Sequence, residues 1–210
     1  MIRILIADDH SMVREGLRRI VEGHSDMEIV LEAADGGEVL DALRSAEVDV
    51  LLLDISMPGP GFLETMDRVR KDHPEVRVLV VSMHPEERWA TRAFQSGAAG
   101  YLTKAHSAEE LAEAIRRVHQ GGRYVTPTLA ERLASRLGPG GGTVGHESLS
   151  RREYQVLCLL GSGKMVKSAA LELGVSPKTI STYRTRILEK LGLRSTADLI
   201  RYVVEHELRI

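Results

Sequence analysis

Cysteine occurs once in the 210-residue chain, at position 158. A single thiol excludes an intramolecular disulfide framework and any zinc site that needs two or more cysteine ligands. Long apolar runs are missing as well: none approaches the ~18 consecutive residues that a membrane span requires. The opening Met1-Ile-Arg-Ile-Leu-Ile-Ala meets Asp8 and Asp9 after a short apolar run, which is not the pattern of a secretory signal. These absences lead to the expectation of a soluble, cytoplasmic protein with no membrane partner. Net charge is nearly absent too, at −2, but it hides an asymmetry. Residues 1–145 hold 17 Lys and Arg against 23 Asp and Glu, whereas residues 146–210 hold 11 against 7. An acidic front and a basic back point to two modules with different partners. Hydrophobic residues are plentiful, at 43%, which excludes wholesale disorder.

Up to about residue 120, short apolar runs alternate with segments of helical period. The strand candidates are Ile2–Ala7, Glu28–Ala33, Val48–Leu53, Val76–Val81 and Gly100–Thr103. The third and fourth are almost continuous Val and Leu, as in strands buried on both faces of a parallel sheet. Helical patterns between them cover Ser11–Glu22, Gly37–Ala46, Leu63–His73, Glu86–Ser96 and Ala108–Gln120. Five β–α units predict a doubly wound α/β domain over residues 1–122. Gly121-Gly122 ends the fifth helix, and Thr126-Pro127 can start another with Leu129, Leu133 and Leu137 on one face. Residues 123–147, which include the glycine-rich run Gly138–Gly145, are expected to form an interdomain linker. The remainder, 148–210, predicts an all-α domain with helices at Ser150–Leu160, Val166–Leu173, Pro177–Leu191 and Thr196–Glu207.

Three carboxylates fall where strands end: Asp8 and Asp9 after the first, Asp54 after the third. With strand order 2-1-3-4-5 the first and third strands are neighbours, and the crevice at their carboxyl ends is where ligands bind in such sheets. Three gathered negative charges repel one another unless a cation joins them, and all-oxygen ligation favours Mg²⁺. Ser82 closes the fourth strand with a hydroxyl, and Lys104 closes the fifth with an ammonium. A carboxylate nucleophile, a divalent cation, a Lys and a hydroxyl suit transfer of a phosphoryl group onto Asp. His10 borders this pocket, the other seven histidines show no ligand spacing, and Trp89 and Phe94 read as packing residues.

Four motifs in order resemble the flavodoxin-like receiver domain of bacterial two-component response regulators. They are Ala7-Asp8-Asp9-His10, Leu53-Asp54-Ile55-Ser56-Met57-Pro58-Gly59, Val81-Ser82-Met83 and Gly97-Ala98-Ala99-Gly100-Tyr101-Leu102-Thr103-Lys104. The resemblance implies that Asp54 accepts phosphate from a sensor histidine kinase. It implies Mg²⁺ on Asp9 and Asp54, with the Ser56 backbone carbonyl as a further ligand and Asp8 acting through water. Lys104 and Ser82 would contact the phosphoryl group, and Ser82 with Tyr101 would form the switch pair. The sequence departs from the family at Phe62, where Gly is usual, and Gly61 is expected to absorb the turn.

The basic half carries its own signal. Ser176-Pro177-Lys178-Thr179 is a helix start, with a Ser cap and Pro at the first helical position. The short helix before it ends at Gly174, leaving a helix-turn-helix candidate whose second helix is the reader. Ile180, Ile187 and Leu191 suit its buried face. Lys178, Ser181, Thr182, Arg184, Thr185 and Arg186 project elsewhere, a mixture suited to phosphates and base edges in a major groove. Residues 149–208 resemble the LuxR/NarL/FixJ-type helix-turn-helix through Leu149-Ser150, Val175-Ser176, Thr179-Ile180-Ser181-Thr182-Tyr183 and Leu188-Glu189-Lys190-Leu191. The resemblance implies that Ser181, Thr182 and Thr185 face bases, that Lys178, Arg184 and Arg186 lie nearer the DNA backbone, and that the last helix pairs two domains. Ala169 stands where the family favours Ile, and Met165 or Val166 is expected to fill the space. Cys158, within Val-Leu-Cys-Leu-Leu, is expected to be buried as a small apolar residue.

The chain therefore reads as a phosphorylation-controlled, DNA-binding transcriptional regulator that forms a homodimer on activation and binds double-stranded promoter DNA. An aspartyl-phosphate hydrolase would carry a second acid two residues beyond the nucleophile, where this chain has Ser56. The alternative is a regulator whose atypical receiver works without Asp54 phosphorylation, a reading that rests on Phe62.

Overall fold

The computed structural model describes residues 1–131, 145–206 and 208. The chain divides into two compact units, Met1–Leu137 and Gly138–Ile210. In the first, five strands alternate with five helices: β1 Ile2–Ala7, α1 Ser11–Glu22, β2 Met27–Ala33, α2 Gly36–Ser45, β3 Val50–Leu53, α3 Phe62–Asp72, β4 Arg77–Ser82, α4 Glu86–Gln95, β5 Gly100–Thr103 and α5 Ala108–His119. The strands pair in parallel in the order β2-β1-β3-β4-β5. All four residues of β3 are buried, which accounts for the unbroken Val-Leu-Leu-Leu run. Alternation divides the neighbouring strands between two core layers. Ile4, Ile6, Val50, Leu52, Leu79 and Val81 join Leu17 and Val21 of α1 with Ile115 and Val118 of α5.

The predicted elements are present with ends displaced by up to two residues. The third strand begins at Val50 rather than Val48. Just before it, the Asp49 carboxylate accepts the Arg3 backbone N–H at 2.8 Å and the guanidinium at 2.7 and 3.0 Å. Backbone bonds from Asp49 N–H to Arg3 and from Arg77 N–H to Asp49 extend the tie across three strands.

The expectation for the loop after Asp54 needs correction. The positive φ falls on Gly59, at 84°, whereas Gly61 has φ −62° and serves as the cap before α3. Gly59 lies against the start of α2, and the Pro58 carbonyl accepts from Gly36 N–H at 3.1 Å. The left-handed residue is therefore already in place two positions earlier. Phe62 is the first residue of α3, buried in an edge-to-face contact with Trp89 at 6.5 Å between ring centroids.

Residues 123–131, expected as linker, pack on the first unit: Tyr124 bridges Gly100 of β5, residues 127–131 are helical, and Leu129 is buried. Leu133, Leu137 and residues 138–144 of the glycine-rich run lie outside the described residues. The second unit opens with a 3-10 turn, Gly145–Ser148, followed by α6 Arg151–Gly161, α7 Val166–Glu172, α8 Pro177–Leu191 and α9 Thr196–Glu205. Ser150 and Glu153 form a reciprocal capping box at the start of α6. Gly161 lets α6 meet α9 closely, since a Cβ there would lie within 2.8 Å of three Val203 side-chain atoms. Cys158 is buried. Met165 does not fill the space beside Ala169: it is 75% exposed, and α7 packs on α8 with Ala169 and Ala170 as its buried residues. Among the described residues, no helix is long and apolar enough to cross a membrane.

The Arg3 hydrogen bonds hold the Asp49 carboxyl at about 2, below its ordinary value. A depressed carboxylate contributes stability above its unfolded value of ~4, and that contribution is lost as pH falls through about 2. Asp49→Asn is therefore expected to lower stability at pH 7 by roughly 1–2 kcal/mol, with the difference vanishing near the acid limit. Urea denaturation followed by the fluorescence of Trp89, the single tryptophan, checks this across pH.

Candidate functional site

The register of the sheet gathers the polar residues. Ala7 pairs Leu53, and the ladder runs one step further through Asp54 N–H to the Ala7 carbonyl at 2.9 Å. Ser82 pairs Thr103, and Lys104 N–H donates to the Ser82 carbonyl at 2.8 Å. Asp8, Asp54, Ser82 and Lys104 are thus each fixed by backbone hydrogen bonds at the carboxyl edge of a four-strand run. This is the switch-point crevice of a doubly wound sheet.

Asp8 is 1% exposed and Asp54 4%. The Lys104 ammonium lies 2.5 Å from Asp8 Oδ2 and 3.0 Å from Asp54 Oδ2. Burial alone would lower the Lys104 pKa, but the two carboxylates outweigh it and hold the ammonium above its ordinary value. The remaining Asp8 oxygen accepts from His10 N–H at 2.9 Å, while Asp54 Oδ1 accepts from Ile55 N–H at 2.7 Å. Asp9 is more open, and its Oδ1 lies 2.6 Å from His10 Nδ1.

Ligand atoms of Asp8, Asp9 and His10 lie within 4.8 Å of one another; Asp54 stands outside that group, bound to Lys104. The carboxylate donors Asp8, Asp9 and Asp54 are hard oxygen ligands at the edge of one crevice, a set that fits Mg²⁺.

Ser82 and Tyr101 are fully buried and both engage the backbone of His84. Ser82 Oγ accepts from His84 N–H at 3.3 Å, and the Tyr101 hydroxyl donates to the His84 carbonyl at 2.9 Å. Burial raises the Tyr101 pKa, against an opposing contribution from the Ser82 hydroxyl. His84 Nε2 shares a hydrogen bond with Ser56 Oγ at 2.7 Å, and its ring lies over Trp89 at 5.3 Å between centroids. Sequence reasoning missed His84, because a lone histidine two residues past a strand end carries no periodic or spacing signal.

In the second unit, Ser176 caps α8 by accepting from Thr179 N–H at 3.1 Å, with Pro177 at the first helical position. Ile180 and Ile187 are buried, while Leu191 is only partly so. Lys178, Ser181, Thr182, Thr185 and Arg186 are exposed. Arg184 is half-buried and donates through Nε to Thr196 Oγ1 at 2.8 Å, which ties α8 to the start of α9. The hydroxyls of Ser181, Thr182 and Thr185 donate to the carbonyls of Pro177, Lys178 and Ser181, each one turn back. Lys190 reaches the buried Glu153 of α6 at 2.7 Å. Burial raises the Glu153 pKa, but Lys190 and the Ser150 cap outweigh it and leave it lowered.

Comparison with known proteins matches both units. The response regulator receiver domain family covers residues 4–116, and the luxR family of bacterial regulatory proteins covers residues 147–203. The chain is 38% identical to response regulator GacA of Pseudomonas aeruginosa over 207 residues, covering 98% of this chain and 97% of that protein. It is 35% identical to response regulator UvrY of Escherichia coli over 209 residues, covering 99% and 96%. Among solved structures, RcsB of Salmonella enterica serovar Typhimurium, bound to promoter rprA in the presence of the phosphomimetic BeF3−, matches at TM-score 0.73 and 26% identity. That match covers 97% of this chain and 99% of the other.

The buried trio of Lys104, Asp8 and Asp54 gives a direct test of the site's electrostatics. Removing the ammonium leaves two buried carboxylates facing each other, so Lys104→Met is expected to cost roughly 3 kcal/mol of stability in metal-free buffer. Adding Asp54→Asn to it is expected to restore more than half of that loss. Urea denaturation followed through Trp89 reads both variants.

Proposed function

The chain belongs to the DNA-binding response regulators that join a receiver domain to a LuxR-type helix-turn-helix domain, and from there we propose that Asp54 takes a phosphoryl group from a sensor histidine kinase and thereby controls promoter binding. The observation that carries the reading is the Lys104 ammonium held between Asp8 and Asp54 on adjoining strand ends. In the transfer, an Asp54 oxygen forms the new bond to phosphorus as the bond to the kinase imidazole nitrogen breaks. Lys104 offers its ammonium to a phosphoryl oxygen, and the Ser82 hydroxyl turns to donate to another. Asp9, Asp54 and the Ser56 backbone carbonyl would hold Mg²⁺, with Asp8 reaching it through water. When bound, the ion neutralises charge on the phosphoryl oxygens. Phe62 gives no support to a receiver that works without phosphate, since it occupies an unstrained helical position behind an intact acceptor loop.

Ser82 and Tyr101 form the switch pair in this reading, because both grip the same residue, His84. A two-state shift there would alter the surface around α4. On the DNA side, Lys178 and Arg186 lie exposed for backbone phosphates, and Ser181, Thr182 and Thr185 for base edges. Arg184 reaches DNA only by giving up Thr196 or through its terminal nitrogens. Homodimerisation through the last helix is supported by Ile200 and Val204 of α9, which are 37% and 69% exposed.

Two experiments test these assignments. Incubated with acetyl phosphate and Mg²⁺, the wild type is expected to incorporate one phosphoryl group and Asp54→Asn none, read by intact-protein mass. Equal labelling of both would remove Asp54 as acceptor. On a random-sequence duplex, Lys178→Ala is expected to weaken binding and reduce the slope of log affinity against log salt by about 1. Fluorescence anisotropy across a salt series checks this, and an unchanged slope would take Lys178 off the DNA backbone.

A further inference from the structure

The segment after α5 is clamped onto the receiver at three points that the phosphoryl-acceptor chemistry does not use. Tyr124 N–H donates to the Ala99 carbonyl at 2.9 Å, and Tyr124 bridges Gly100 in parallel with β5. The approach is close enough that a Cβ on Gly100 would lie 3.0 Å from Tyr124 Cβ and 3.2 Å from its carbonyl oxygen. Two residues on, Thr126 Oγ1 donates to Glu86 Oε2 at 2.6 Å and accepts from Leu129 N–H at 3.3 Å. One hydroxyl therefore caps the helical residues 127–131 and ties them to the first turn of α4. Leu129 then inserts as a buried apolar residue.

Glu86 is an unusual anchor. It is a buried carboxylate whose second oxygen, Oε1, meets no hydrogen-bond donor among the described residues. A buried, half-satisfied carboxylate disfavours the arrangement that contains it, so the tie is poised to yield. It also stands at the end of a short connection from the acceptor pocket. Ser82 Oγ holds His84 N–H, Tyr101 holds the His84 carbonyl, Pro85 follows at φ −59°, and Glu86 begins α4. Proline restricts the backbone between His84 and Glu86, so a displacement at Ser82 is passed along instead of being absorbed.

We propose that the Glu86–Thr126 hydrogen bond is the output latch of the receiver: phosphorylation at Asp54 breaks it and releases residues 123–131, the start of the path to the DNA-binding unit. The proposal rests on Asp54 phosphorylation as read above. The side-chain rotation that carries Ser82 Oγ to the phosphoryl group moves the oxygen itself out of reach of His84 N–H, a bond already long at 3.3 Å, and the loop carries Glu86 away from Thr126. Residues 123–131 are left with the backbone bond of Tyr124 and the burial of Leu129.

Amide hydrogen exchange on the full chain, read by mass spectrometry for peptides covering 123–131, tests the latch. Wild type, Thr126→Val, Glu86→Leu and Thr126→Ser are compared with and without acetyl phosphate and Mg²⁺, with phosphoryl incorporation measured on the same samples. Phosphorylated wild type is expected to exchange about tenfold faster in this segment than the unphosphorylated protein. Thr126→Val, which loses the cap on Leu129 N–H together with the bond to Glu86, and Glu86→Leu, which loses the bond alone, are both expected to show the faster exchange without phosphate, while incorporating phosphate normally. Thr126→Ser is expected to behave as wild type. Normal incorporation with unchanged or slower exchange in 123–131 would overturn the latch and leave Asp54 phosphorylation standing. Thr126→Val or Glu86→Leu exchanging like unphosphorylated wild type would overturn it as well. Absence of incorporation in the wild type would defeat the phosphorylation reading and the latch with it.

Discussion

A single ammonium holds the receiver's functional edge together. Lys104 sits between two carboxylates that are almost wholly buried, and neither would tolerate the other without it. Its position comes from the sheet, because β5 ends at Thr103 and one more backbone bond, to Ser82, fixes where the side chain begins. The same bond fixes Ser82. Charge balance in the pocket and placement of the hydroxyl therefore depend on one register, that of β4 with β5. An arriving phosphoryl group would bring new negative charge to a site whose cation is already shared. On that reading the pocket would call for a further cation, for which the open carboxylate of Asp9 is better placed than the closed ones.

Around that pocket, His84 joins more elements than any acidic residue of the site does. The His84 backbone accepts from Tyr101 and donates to Ser82, while its ring meets Ser56 on one side and Trp89 on the other. Trp89 in turn packs edge-on against Phe62. The loop after β3, the loop after β4 and the first turns of α3 and α4 thus share one aromatic cluster. Phe62, an apparent departure in the loop, is one of its walls and leaves the acceptor loop's turn to Gly59.

Most of the fold was legible because its signals are local and periodic. Unbroken Val and Leu marked β3 as central, Ser176-Pro177 marked the start of α8, and the acidic residues at strand ends marked the crevice. Two kinds of feature were not legible. The first is which neighbour fills a space: Met165 and Val166 are equally open candidates beside Ala169 in the sequence, and only the structure shows Met165 in solvent and Val166 partly buried. The second is pairing across distant sequence. Nothing near Thr126 signals Glu86, forty positions earlier, and nothing near Arg184 signals Thr196. A linker composition likewise says little about whether its first residues are bound, and Tyr124 and Leu129 are.

The reader helix shows how hydroxyl side chains reconcile two demands. In the proposed reading Ser181, Thr182 and Thr185 must be exposed to meet base edges, yet exposed hydroxyls compete with the helix backbone and weaken it. Here each donates to a carbonyl one turn back, which commits its proton without breaking the helical ladder. Its oxygen lone pairs remain free to accept, so an amino group on cytosine or adenine can be met with no rotation at all. Reading a base acceptor instead requires the hydroxyl to turn away from its carbonyl, which costs a hydrogen bond already made. If these hydroxyls face bases as proposed, the folded helix favours bases that donate. Arg184 is fixed to Thr196 at the start of α9, so in the same reading a DNA contact made by that guanidinium would act on the helix that carries the exposed Ile200 and Val204. In the proposed reading, grip on the DNA backbone and the state of the last helix are therefore linked through one side chain.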